Sequence, residues 1–257
     1  MDDPIHTYDF IKGIINVRKD DIIGVAIPKG NRLTLSKGKS KIIYIISLFI
    51  IMGPYFFIKN SIITIKHRIY KFLHKIGLCN DPSILYFAES LGIKTYRIGT
   101  PNEPNFVEML RDLNIDVIIN QSQNIIKPKL LSVPKLGIIN RHNALLPKNR
   151  GRLTPFWVLK NNEKTTGVSI HFVEEGLDSG DIIVQEHYKI DESDSFNSLV
   201  EKNYILASKL ILIALDKLEN GDTNYLINDD KFASYNSTPN LSDAINYRLL
   251  KYRSKKT

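Results

Sequence analysis

Apolar runs alternate with amphipathic stretches along most of the chain, a rhythm that predicts strands separated by helices and hence an α/β fold with a mostly parallel, helix-covered sheet. Apolar runs predict strands over Ile22–Ile27, Val117–Asn120 and Leu136–Asn140. Two more strands, Gly167–Val173 and Asp181–Tyr188, are joined by a short loop. Helical spacing predicts helices over Tyr8–Val17, Ser83–Leu91, Asn105–Leu113, Thr154–Lys160 and Phe196–Leu218.

One region breaks the rhythm. Within residues 36–78 lies an uncharged run, Ile42 to Ile58, near the lower limit for a membrane span. Gly53-Pro54 interrupts it, which predicts two short buried helices in preference to one spanning helix. Beyond it, Ile62, Ile65, Ile69 and Phe72 recur at helical spacing, with Lys66, Arg68 and Lys71 left to the outside. A basic amphipathic helix can lie on a membrane surface, but packing on a sheet or a second subunit is the commoner use.

A chain of 257 residues with 43% hydrophobic and 24% charged residues suits one core plus an appendage. The single cysteine, Cys79, excludes an internal disulfide and a cysteine-rich zinc site, so a reducing, cytoplasmic compartment is expected. The six histidines have no carboxylate or cysteine partners at ligand spacing, and no metal is expected. A net charge of +8 bears on partners and not on the fold. The basic tail of Arg248, Lys251, Arg253, Lys255 and Lys256 reads as a solvated terminus.

The chemistry concentrates between residues 140 and 183. Asn140 and His142 stand two apart at the carboxyl end of a predicted strand, where open α/β sheets place their sites, and Asp178 follows on a loop. A donor for an oxyanion, an imidazole to accept a proton and a carboxylate to orient it make an acyl-transfer set.

Four linked elements then occur in order. They are Asn140-Arg141-His142, Leu145-Leu146-Pro147 through Gly151, Thr166-Gly167 through His171, and Leu177-Asp178-Ser179-Gly180. Over about residues 115–190 the chain thereby resembles the folate-dependent formyltransferases, in which a Rossmann-like domain moves a formyl group from N10-formyltetrahydrofolate to an amine.

The resemblance implies that Asn140 donates to the oxyanion, that His142 assists it or takes the amine proton, and that Asp178 holds the imidazole. His171 matches the family as well, and on strand alternation it is expected only to support its neighbours. Folate contacts are implied at Gln121, Ser122, Gln123, Asn124 and Ile125, and at Val173, Glu174, Glu175, Gly176 and Leu177. Lys148 and Arg150 become candidate phosphate contacts on the acceptor side. The implied layout is a catalytic domain over 1–190 carrying the 36–78 helical insertion, with 191–257 as a C-terminal helix and short extension on the same domain. In that family an apolar strand precedes the acidic turn at Met1-Asp2-Asp3-Pro4, so a first strand is expected to be missing.

Among acceptors, Arg152 through Trp157 and Tyr235 through Pro239 resemble elements of nucleotide-sugar N-formyltransferases. The expected substrate is therefore an amino-dideoxy sugar, dTDP-linked for example, destined for surface polysaccharide such as lipopolysaccharide O-antigen. The expected partners are that small molecule and a second copy in a homodimer, with no nucleic acid. The alternatives are a methionyl-tRNA formyltransferase-like enzyme, or a membrane-associated binding protein without catalysis.

Overall fold

The computed structural model describes residues 3–30 and 40–254, excluding the side chains of Arg253 and Ser254. Helix α1 (Thr7–Arg18) leads to strand β1 (Gly24–Pro28). The insertion follows as α2 (Lys41–Met52) and α3 (Pro54–Lys75). Then come α4 (Ile84–Ser90), β2 (Lys94–Ile98), α5 (Pro104–Asp112), β3 (Val117–Asn120), α6 (Pro128–Leu131) and β4 (Gly137–His142). The second half holds β5 (Arg150–Gly151), α7 (Thr154–Lys160), β6 (Thr165–Phe172), β7 (Ile182–Lys189), α8 (Phe196–Glu219), β8 (Tyr235–Asn236) and α9 (Leu241–Ser254).

Strands β1 and β2 pair in parallel, and a four-stranded sheet runs β3-β4-β6-β7, parallel at β3-β4 and antiparallel thereafter. Helix α1 joins the two sheets because it is apolar on two sides. Phe10 and Ile14 pack with Ile139, Val168 and Ile170, while Ile15 packs with Ile84, Ala88 and Ile93. Helix α8 covers β6 and β7 with Ala207, Leu210, Ile211, Ala214 and Leu218, each larger side chain contributing roughly 2 kcal/mol by burial. A reciprocal bond between Ser195 and Ser198 caps its start.

Among the described residues β1 pairs only with β2 and β3 only with β4. Val117, Ile118 and Ile119 accordingly stay half-buried, although such a run ordinarily belongs to a covered strand. The expectation of a missing first strand concerns residues ahead of Asp3, outside the described ones.

Gly53 ends α2 at φ +80°, a left-handed turn that glycine takes without strain, and Pro54 opens α3. The predicted break is therefore present. The expectation of two short buried helices needs correction, because α3 has 22 residues and buries none of them. Among the described residues no helix is long and apolar enough to cross a membrane. Residues 36–39 of the insertion lie outside the described ones.

The C-terminal tail also differs from expectation. Ala244 and Tyr247, three apart, bury one face of α9 against Ile51 and Phe156. Arg248 donates to the carbonyls of Ile50 and Ile51, and Lys251 to that of Asp194. These cations cap backbone carbonyls, Lys251 half-buried and Arg248 while still exposed as a solvated tail would be. Arg253's side chain, Lys255 and Lys256 lie outside the described residues.

Candidate active site

Alternation along β4 turns Asn140 and His142 to the same side, and β6 sets His171 opposite Asn140. Asp178 comes from the β6–β7 loop, held at φ +49°. These four residues line one cleft of about 1770 Å³, together with Gln121 through Ile125 and Val173 through Leu177. Two segments fifty residues apart thus face the same space.

A relay of side-chain bonds fixes the Asn140 amide. Arg141 Nε donates to Gln121 Oε1 at 3.1 Å, which turns Gln121 Nε2 towards Asn140 Oδ1 at 3.3 Å. With its oxygen engaged, Asn140 presents Nδ2 as a donor. Arg141 is itself held over the Tyr204 ring, 4.1 Å from its centroid.

His142 is buried, and its Nε2 lies 2.8 Å from the carbonyl oxygen of Asn149, so that nitrogen carries the proton and donates. Nδ1 is left facing Asp178 Oδ2 at 3.5 Å. The same carboxylate oxygen accepts from Gly151 N at 2.9 Å. Gly151 is required there: its φ is +104°, and a Cβ would sit 2.2 Å from the Asn236 carbonyl oxygen. A proton arriving at Nδ1 therefore creates an imidazolium beside an oriented carboxylate.

His171 is more closely involved than sequence reasoning implied. Its Nδ1 donates to the Phe172 carbonyl oxygen at 2.7 Å, and its Nε2 lies 3.9 Å from Asp178 Oδ1, buried and without a hydrogen-bond partner. Burial, and then the nearby His142, push its pKa down to about 4, against the opposing pull of Asp178. An unfolded histidine titrates near 6.5, so between those values only the unfolded chain takes this proton. Stability is complete above 6.5 and falls as pH drops towards 4. Urea unfolding of wild type should lose on the order of 2 kcal/mol from this residue between about pH 7.5 and about pH 5. His171→Gln should remove that part of the slope; identical slopes would show that His171 is not held neutral.

Lys148 and Arg150, the candidate phosphate contacts, do not line the cleft. Lys148 is exposed elsewhere. Arg150 is 0% exposed, with its guanidinium donating to Asp230 (2.6 Å), the Tyr235 hydroxyl (2.9 Å) and both oxygens of Asn228 (2.8 and 3.0 Å). The charge is spent inside the protein, fastening residues 228–235 beneath the catalytic loop. Cations do reach the cleft from elsewhere: Lys59, Arg68 and Lys71 on α3, with Arg141 and Arg152, against Glu174, Glu175 and Glu201. The sequence signal for the α3 contribution is the basic polar side of its amphipathic pattern, of which Arg68 and Lys71 line the cleft. Among the described residues no group of side chains could hold a metal ion.

Residues 78–215 match the formyl transferase family. The chain is 41% identical over 147 residues to a methionyl-tRNA formyltransferase of Prochlorococcus marinus, across 54% of this chain and 44% of that one. A methionyl-tRNA formyltransferase of Thermodesulfovibrio yellowstonii is 36% identical over 141 residues, across 54% and 46%. The chain thus spans about half the length of the curated relatives it matches. An N-formyltransferase from Helicobacter canadensis, solved with folinic acid and dTDP-3-aminofucose, shares the fold at a TM-score of 0.61 and 18% identity, over 99% of this chain and 79% of that one. With more than half its length matched by the family, the chain belongs to the formyl transferases.

Proposed function

We propose that this protein is a folate-dependent N-formyltransferase that moves the formyl group of N10-formyltetrahydrofolate to the amine of a nucleotide-linked amino sugar. The observation that carries the reading is the fixed amide of Asn140, its Nδ2 left as a donor beside the His142–Asp178 pair. An amine attacking a formyl carbon leaves charge on oxygen and a proton on nitrogen. Asn140 Nδ2 meets the first, for which one placed donor is worth about 3 kcal/mol. His142 Nδ1 takes the second, Asp178 stabilises the imidazolium that results, and collapse of the intermediate would break the formyl bond to folate N10 as that proton passes to N10, releasing tetrahydrofolate.

The folate fits the two loops, where backbone groups of Gln121–Ile125 and Val173–Leu177 offer donors and acceptors while Ile125, Val173 and Leu177 offer apolar surface. A cleft of about 1770 Å³ has room for a second substrate alongside it. Lys59, Arg68, Lys71 and Arg152 suit an acceptor carrying phosphates. The Helicobacter canadensis enzyme, with dTDP-3-aminofucose and folinic acid bound together, supports the same pairing. By this reading the 1–190 segment is the catalytic unit.

A second reading takes methionyl-tRNA as the acceptor, favoured by the names of the relatives that match over half the chain. A panel of dTDP-, UDP- and GDP-linked amino sugars, with methionyl-tRNA included, decides by the mass of the product. A formyl mass gain on one nucleotide sugar is the expected result; gain on methionyl-tRNA alone would replace the first reading with the second.

A further inference from the structure

Helix α3 has two dissimilar faces. At 100° per residue, Asn60, Thr64, His67 and Lys71 fall on one side, and all four line the cleft. The opposite side carries Ile58, Ile62, Ile65, Ile69, Phe72 and, at the C-cap, Ile76, spaced alternately four and three residues apart and all exposed, with Ile65 also reaching the cleft's edge. This stripe is about 27 Å long. Exposed cations outside the cleft border it on both flanks, Lys66 on one and Lys75 on the other, while Lys59 and Arg68 turn to the cleft. The helix has no acidic residue.

We propose that α3 is a surface-docking helix that lies flat on an anionic lipid bilayer, its apolar stripe at the acyl boundary and Lys66 and Lys75, one on each flank, among the headgroups. Three observations select this occupant. A 22-residue helix with none of its residues buried is not held by its own fold on that side. The alternating spacing would also suit a second helix, but in a second copy the flanking positions would set cation against cation, where a stable pair places opposite charges. Cations on both edges of an apolar stripe match a surface that is apolar within and negative at its rim, and the chain's net charge of +8 adds to the attraction. Because α3 lines the cleft with its other face, docking would hold the cleft within about 10 Å of the bilayer.

Co-sedimentation of the full chain with vesicles tests this, comparing phosphatidylglycerol mixed into phosphatidylcholine with phosphatidylcholine alone. Wild type is expected to pellet with the anionic vesicles only, and less so in high salt. The double variant Ile62→Glu/Ile69→Glu should bind at least about tenfold more weakly, as should Lys66→Glu/Lys75→Glu, with circular dichroism unchanged because neither pair is buried. Absence of pelleting would overturn the proposal. Equal binding by the double variants would overturn it too, as would a dimer in sedimentation velocity that Ile62→Glu/Ile69→Glu dissolves.

Discussion

Asp178→Asn is expected to lower kcat for formyl transfer about a thousandfold, within the range for a displaced proton-transfer partner. The change is conservative in shape. Asparagine keeps an oxygen for Gly151 N and tolerates the φ of +49°, so the loop should hold its place. What disappears is the negative charge 3.5 Å from His142 Nδ1. His142 Nε2 is committed to the Asn149 carbonyl, so Nδ1 is the nitrogen on which a proton must arrive, and asparagine gives that imidazolium no ionic partner. Substrate KM and thermal unfolding should stay near wild type. A variant that loses folate affinity in proportion to its activity would instead make Asp178 a binding residue.

Arg150→Met should produce the largest loss of stability in this region, about 3 kcal/mol, seen as a fall of roughly 10 °C in the unfolding midpoint. Methionine replaces much of the aliphatic volume but leaves the Asn228 oxygens and the Tyr235 hydroxyl without the donors that now satisfy them. Residues 228–235 would then be held by the short β5–β8 pairing and by Asn228 Nδ2, which donates to the carbonyls of Asp178 and Gly180 in the catalytic loop. Asp230→Asn makes the control, because Asp230 is 79% exposed and its removal should cost less than about 1 kcal/mol. Should Arg150→Met raise the KM for a nucleotide sugar and leave the midpoint unmoved, Arg150 would be a phosphate contact after all.

Arg150 also marks the limit of what the sequence disclosed. A basic residue in a loop beside the catalytic motif reads as available for phosphate, and nothing local tells that Asn228, Asp230 and Tyr235 close around it from eighty residues away. The placement of Asn140, His142 and Asp178 in one cleft was legible, since strand alternation sets the first pair and the four linked motifs of the resemblance single out the third, which alone reads as a turn. Strand β3 matched its predicted limits because a short apolar run between polar neighbours has one reading. Strand β2 did not stand out, as Lys94 and Arg97 break its alternation and its place depends on pairing with β1. Helix α9 was concealed by its cations, although Ala244 and Tyr247 carried the signal. Helix α3 shows the converse: its amphipathic pattern was plain, but a pattern does not say which face the fold will cover.

The most direct test of the account is transfer of an isotopically labelled formyl group from N10-formyltetrahydrofolate to the amino-sugar panel, run with wild type and Asp178→Asn side by side and folate affinity measured for both. The expected result is a labelled formyl mass gain on a nucleotide sugar with wild type, almost none with Asp178→Asn, and equal folate binding. Undiminished transfer by Asp178→Asn, or no transfer by wild type to any amine offered, would contradict it.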